Sequence, residues 1–171
     1  MALLTPESLQ RIEREAKKYP PEQRQSAVMS ALAVAQDQDG WISNEIMEEV
    51  AQVLNMPPVW VYEVATFYNM YNLKPGARHK VVVCTNLPCA LSGGEEAAEH
   101  LKHKCGVKDY NEVSSDGRFV VKEGECMGAC ADAPVMMVNN KRMCSFMSNE
   151  KIDRLIEELA VTPAKAGAHG S

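Results

Sequence analysis

Residues 73–89 read Leu-Lys-Pro-Gly-Ala-Arg-His-Lys-Val-Val-Val-Cys-Thr-Asn-Leu-Pro-Cys, and the character of the whole chain changes across them. Pro75-Gly76 punctuates the pattern, so Leu73 to Ala77 reads as a linker. Val81-Val82-Val83 is a short continuous run of β-branched residues, the signature of a strand buried on both faces. Cys84 follows directly, which places its sulfur at a strand end, where α/β proteins build their sites. Cys89 then falls in the next loop, held by Pro88.

Upstream of this stretch the period is helical. Thr5-Pro6 is an N-cap followed by proline at the first helical position, and Leu9, Ile12, Ala16 and Tyr19 fall near one face before Pro20-Pro21 stops the helix. A second helix is predicted from about Glu22 to Gln38, burying Ala27, Val28, Ala31, Leu32 and Ala35, with Gly40 beyond its end. Ser43 caps a third, carried by Ile46, Val50, Val53 and Leu54. Pro57-Pro58 opens a fourth, in which Trp60, Val64, Phe67 and Tyr71 share a face. Trp60, Phe67, Tyr68 and Tyr71 read as the core of this module.

Downstream the period is mixed. Ser92-Gly93-Gly94-Glu95 reads as a capping box for a helix with Ala97, Ala98, Leu101 and Cys105 on one face. Two strands are predicted to turn back on each other around Ser115-Asp116-Gly117, and a second hairpin joins Val135–Val138 to Arg142–Phe146 across Asn139-Asn140. Ser148 caps a last helix with Ile152, Leu155, Ile156 and Leu159 on its buried stripe, and Met147 is placed to staple against Ile152. The domain reading is therefore residues 1–75 as an N-terminal helical module, 76–160 as an α/β sandwich, and 161–171 as a disordered tail.

Composition narrows the function. The 171 residues are 46% hydrophobic and 24% charged, the balance of an ordinary globular protein. Eighteen Lys and Arg against 23 Asp and Glu leave a net charge of −5, without the basic footprint of a nucleic-acid binder. The longest apolar run, Ala27 to Ala35, already contains Ser30 and is far short of the roughly 20 residues a spanning helix needs. No basic segment followed by an apolar core opens the chain, so a cytoplasmic location is expected. In that reducing compartment, six cysteines point to metal or redox chemistry before structural disulfides.

Two cysteine pairs stand out, Cys84-x4-Cys89 and Cys126-x3-Cys130, with 36 residues between them. The second lies in Gly124-Glu125-Cys126-Met127-Gly128-Ala129-Cys130-Ala131, whose small residues suit a loop wrapped closely around something. Such loops let backbone N–H groups reach thiolate sulfur and stabilise its charge. Four thiolates in two pairs suit a 2Fe–2S cluster or tetrahedral zinc. Neither pair has the Cys-x2-Cys spacing usual in structural zinc knuckles, and no Cys-x2-Cys-x2-Cys run of a bacterial four-iron ferredoxin is present. A Rieske centre would need histidines near the pairs, and a plant-type ferredoxin would need cysteine where Ser92 stands. A zinc-stabilised interaction module stays open on spacing alone. A dithiol redox protein would need Cys-x2-Cys at a helix N-terminus.

Other residues read blandly. Cys105, on an apolar helix face, and Cys144, inside a strand, read as packing. His100 and His103 read as a solvated helix face, since no third ligand is in register, and His79 marks a strand start. No Ser/His/Asp triad, P-loop or GxGxxG appears.

Val83-Cys84-Thr85-Asn86-Leu87-Pro88-Cys89 and Gly124-Glu125-Cys126-Met127-Gly128-Ala129-Cys130-Ala131-Asp132-Ala133-Pro134 resemble the two cluster loops of the NADH-quinone oxidoreductase E-subunit family, the thioredoxin-like ferredoxin of respiratory complex I. Val64-Ala65-Thr66-Phe67-Tyr68-Asn69-Met70-Tyr71 extends the resemblance into the helical half, so that it spans about residues 5 to 160. It implies an α/β fold, a thioredoxin-like 2Fe–2S ferredoxin domain preceded by a small all-helical module. It also implies one 2Fe–2S cluster with Cys84, Cys89, Cys126 and Cys130 as ligands, one pair per iron, while Cys105 and Cys144 match no ligand. The implied role is an electron-transfer subunit of NADH:quinone oxidoreductase that has no active site of its own. It exchanges single electrons with the FMN of a flavoprotein subunit, and FMN and NADH are bound only there. The large iron–sulfur subunit is a further implied partner, and much of the partner interface is expected on the helical module. The resemblance places the chain peripheral to the inner membrane through the complex, with no direct membrane insertion. The same loops occur in small subunits of NAD-dependent hydrogenases and formate dehydrogenases, the implied alternative.

Overall fold

Thr5 opens the first helix in the computed structural model, which describes residues 3–161. Its Oγ accepts the Ser8 N–H at 3.2 Å, and α1 (Pro6–Ala16) buries Ile12 and Ala16. Tyr19 is exposed, because the helix ends before its period reaches that residue. The long second helix is in fact two pieces. A 3₁₀ segment covers Pro21–Ala27, with Gln23 at φ −119°, ψ 25° breaking the ladder, and α2 follows over Val28–Asp39. Gly40 closes α2 in the left-handed region at φ +78°, the conformation glycine adopts without cost. Ser43 Oγ accepts the Ile46 N–H at 3.3 Å and starts α3 (Asn44–Leu54); α4 spans Pro58–Phe67.

Ile12, Leu32, Val50, Leu54, Val61 and Ala65 form the core of this first unit. The aromatic core predicted for α4 is a misreading. Trp60 and Tyr62 are half exposed, Tyr68 is exposed, and Phe67 is 80% exposed. Tyr71 is buried as expected, its hydroxyl donating to the Met29 carbonyl at 2.9 Å. α4 carries Glu63 and Thr66 but is apolar around most of its circumference, so its period says little about which side packs, and the slimmer Val61 and Ala65 are the side chains that reach the core with α2 and α3.

The chain divides into two compact units between Pro75 and Gly76. In the second, β1 (His79–Cys84) lies inside a four-stranded sheet of order β2-β1-β3-β4, where β2 is Phe119–Gly124, β3 Met136–Val138 and β4 Arg142–Cys144. β1 runs parallel to β2, with Cys84 opposite Gly124, and antiparallel to β3. Two helices separate β1 from β2, the short α5 (Leu87–Leu91) and α6 (Gly94–Cys105). α6 and the final α7 (Asn149–Val161) pack side by side, and Leu101 and Ile152 share one core with Val81, Val83, Phe119, Val121, Met136 and Val138.

Three expectations change here. Gly93, at φ +88°, is the N-cap of α6, and Ser92 Oγ donates to the Pro88 carbonyl at 2.9 Å, so the capping box does not form. Cys89 sits within α5 and not in a loop. The chain does turn at Gly117, but Val113 makes only an isolated bridge to Val120, and the partner of β2 is the longer edge of β1. The Asn139-Asn140 hairpin forms as predicted, both residues at positive φ as a type I′ turn requires. Ile152, Leu155, Ile156 and Leu159 are buried on α7. Apart from Val161, the last residue of α7, the predicted tail lies outside the described residues.

Candidate metal centre

Adjacent parallel strands end in adjacent loops, and this alone brings the two cysteine pairs to one edge of the sheet. β1 delivers Cys84 and β2 delivers Gly124, two residues before Cys126. The Cys84 N–H donates to the Val135 carbonyl at 3.1 Å, and the Thr85 N–H to the Gly124 carbonyl at 3.4 Å, carrying the sheet one step past its formal end. Asn86 then caps α5, which turns Cys89 inward. Cys84 and Cys89 are each 2% exposed and pack with Val135, flanked by Met127, Ala129 and Ala133. Cys126 and Cys130 are exposed; Cys130 opens a 3₁₀ turn over Cys130–Asp132. The far end of that loop is tied down by the Phe146 N–H, which donates to the Asp132 carbonyl at 2.7 Å, and by the Met147 N–H to the Pro134 carbonyl at 3.0 Å.

The Cys89 thiol is pushed up by burial, then by its hydrogen bond with Cys84, and further by negative charge on Cys84 and Cys130. Cys130 is raised by desolvation, then by the charge of Cys126 and a hydrogen bond with it, with a further contribution from Cys84. Each pair thus senses the other electrostatically. Among the described residues, no three His, Cys, Asp or Glu side chains close around a metal ion as they stand.

The donor set nevertheless fits an iron–sulfur cluster. Cys89 and Cys130, whose ionisation neighbouring thiolate charge opposes, stand where cationic iron would relieve that repulsion. The Gly128 N–H donates to Cys126 Sγ at 3.4 Å, the kind of bond that stabilises thiolate charge. The backbone packs tightly beneath the first pair. A Cβ on Gly94 would stand 2.7 Å from the Cys89 carbonyl oxygen and 3.1 Å from that of Cys84, so only glycine lets α6 begin there. A Cβ on Gly124 would meet Val82 Cγ1 at 2.5 Å. Neither glycine was legible as a site residue, since each does its work through a backbone approach that no motif spells out.

The remaining candidates are structural. Cys105 and Cys144 are buried in the core between sheet and helices, and burial pushes the Cys105 thiol up to about 12. His100 Nε2 lies 2.9 Å from Asp153 Oδ1, tying α6 to α7, and His103 is exposed.

The family described as Thioredoxin-like [2Fe-2S] ferredoxin matches residues 12–160. The NADH-quinone oxidoreductase E subunit of Rickettsia bellii (strain RML369-C) is 43% identical over 144 residues, 84% of this chain and 85% of that protein. The NADH-quinone oxidoreductase E subunit of Rickettsia felis (strain ATCC VR-1525 / URRWXCal2) is 41% identical over 143 residues, 83% of this chain and 84% of that protein. Among solved structures, an NAD+-reducing [NiFe]-hydrogenase in the H2-reduced state superposes with a TM-score of 0.68 at 23% identity. The match covers 80% of this chain and 22% of that one, a likeness of fold.

Proposed function

Because the chain belongs to the thioredoxin-like [2Fe-2S] ferredoxin family, among relatives named as the E subunit of NADH-quinone oxidoreductase, we propose that Cys84, Cys89, Cys126 and Cys130 hold one 2Fe–2S cluster and that this subunit, an electron carrier, exchanges single electrons with the FMN of an NADH-binding flavoprotein subunit. One observation carries the reading: two cysteine pairs leave the same end of neighbouring parallel strands, with Cys84 in register with Gly124. When bound, the cluster supplies a one-electron redox couple whose potential the protein sets through burial and hydrogen bonding.

The chain's own residues divide the labour. Val135, Met127, Ala129 and Ala133 shield Cys84 and Cys89 from water, while the exposed Cys126 and Cys130 leave the opposite edge open to a partner. The Gly128 N–H steadies the charge on Cys126. Residues 76–160 form the electron-carrying domain in this account, and residues 1–75 the docking module. The exposed Trp60, Tyr62 and Phe67 support the second assignment, since large aromatics on a surface are the usual anchors of an interface. The flavoprotein and the large iron–sulfur subunit are the proposed neighbours, and the chain's place is peripheral to the membrane. No helix among the described residues is long and apolar enough to cross one. The names of the relatives favour the quinone oxidoreductase over a hydrogenase or formate dehydrogenase, because the hydrogenase likeness bears on fold alone.

An anaerobic mixing experiment tests the reading. With the flavoprotein subunit present, NADH should bleach the visible absorption of the iron-loaded chain, and without it NADH should do nothing. An absorption that survives NADH in the presence of the flavoprotein would contradict the proposal.

A further inference from the structure

Side chains that carry no sulfur join the Cys84/Cys89 segment to the end of β2 and to the second cysteine loop. Thr85 Oγ1 donates to Glu123 Oε1 at 2.7 Å, and Asn86 Nδ2 donates to Glu125 Oε2 at 3.4 Å. Asn86 also acts on its own loop, where its Oδ1 accepts the Leu87 N–H at 3.1 Å and caps α5, the helix bearing Cys89. That bond fixes which end of the amide is oxygen and leaves the NH2 to face Glu125. In sequence, Asn86 lies two residues after Cys84 and three before Cys89, and Glu125 directly precedes Cys126. One side chain therefore reaches both halves of the donor set.

The loops need such a connection. The β1–β2 ladder ends at Cys84 and Gly124, and residues 125–129 lie in no strand or helix. Gly128 and Ala129 give that segment little to restrain it, so ordering it around a cluster costs conformational entropy. A bond from the better ordered loop lowers the cost before iron arrives, as preorganisation does at any site.

We infer that Asn86 and Glu125, backed by Thr85 and Glu123, form a clasp of positioning residues that holds the Cys84/Cys89 loop and the Cys126/Cys130 loop at one separation and slows loss of the cluster. This rests on the cluster reading above. Charge alone does not describe the arrangement, because the Asn86 amide is the donor that spans the gap and its geometry, not the carboxylate's sign, sets the distance.

The test uses the full chain, reconstituted anaerobically with iron and sulfide, and follows the decay of its visible absorption in excess chelator. Asn86→Asp keeps the cap on α5 but turns the donor into a carboxylate facing Glu125. Its cluster should be lost about tenfold faster, the scale of a hydrogen bond to a charged group. Glu125→Gln keeps an acceptor for Asn86 but makes the bond a neutral one, so loss should accelerate only about threefold, well short of Asn86→Asp. The double variant Asn86→Asp/Glu125→Gln reverses donor and acceptor and should restore retention to within about threefold of the parent. A structural role of Asn86 in α5 alone would not produce that rescue. Thr85→Val, which removes only the companion bond, should accelerate loss about threefold, and it decides the matter if Asn86→Asp does not fold. Decay of Asn86→Asp at the parental rate, a double variant no better than Asn86→Asp, or, where Thr85→Val has to decide, parental decay of that variant would overturn the clasp. A parent chain that takes up no cluster would overturn the cluster reading itself, and the clasp with it.

Discussion

The two cysteine pairs are built on opposite principles. Cys84 and Cys89 stand on regular structure, one at the end of a central strand and one inside a helix, and the fold buries both. Cys126 and Cys130 stand on a glycine-containing loop, exposed, and anchored chiefly at its ends. The fold itself places the first pair, at the cost of packing so close that α6 must begin with glycine. The second pair is placed by local bonds and remains open to whatever docks. An electron carrier needs both, a rigid buried side that shields the cofactor and an accessible side through which a partner is reached.

That contrast can be broken, beginning where the effect should be greatest. Gly94→Ala forces a Cβ against the backbone of Cys89 and Cys84, with no flexible side chain to yield, and should cost about 3 kcal/mol in denaturant unfolding. Gly128→Ala strains a residue at φ +71° but meets open space, and about 1 kcal/mol is expected. Equal losses would dissolve the distinction between the two loops. Next, Cys84→Ser buries a hydroxyl among apolar neighbours and should destabilise the metal-free chain by about 2 kcal/mol, whereas Cys126→Ser should stay within about 0.5 kcal/mol. Both should nevertheless abolish or shift the cluster's absorption, since each removes a proposed ligand.

Thiol labelling sharpens the same contrast without mutation. In the metal-free native chain Cys126 and Cys130 should react first, and Cys105 last, because its buried thiol is pushed up to about 12 and holds almost no thiolate near neutral pH. Early modification of Cys84 or Cys89, read by peptide mass, would mean that the first pair is not sheltered. The smallest effect is expected from Cys105→Ser and Cys144→Ser, which should leave the absorption spectrum unchanged. A spectral shift in either would add a ligand that the geometry does not place near the pairs.

Much of this was legible in the chain because the decisive signals are local. Thr5 and Ser43 cap the helices they should, Asn139-Asn140 turns the hairpin, and the stripe from Ile152 to Leu159 is buried. The cysteine spacing pointed to four candidate ligands, and parallel pairing of β1 with β2 puts them at one edge. What was misread depends on distant partners or on competition for one group. Ser92 resembles a cap, yet its hydroxyl is taken by the Pro88 carbonyl. Phe119–Gly124 looks like half of a hairpin until a central strand offers it a longer edge. α4 has only Glu63 and Thr66 as polar side chains and large apolar ones around the rest, so its aromatics were assigned to the core they do not enter. α5, five residues long, is shorter than any window in which a helical period can be read.

Iron and acid-labile sulfide, assayed together with zinc on the anaerobically purified chain and read beside its visible spectrum before and after dithionite, test the central claim most directly. The account predicts a coloured protein with about two irons and two sulfides per chain that bleaches on reduction. A colourless chain that carries one zinc after anaerobic reconstitution with iron and sulfide would contradict it.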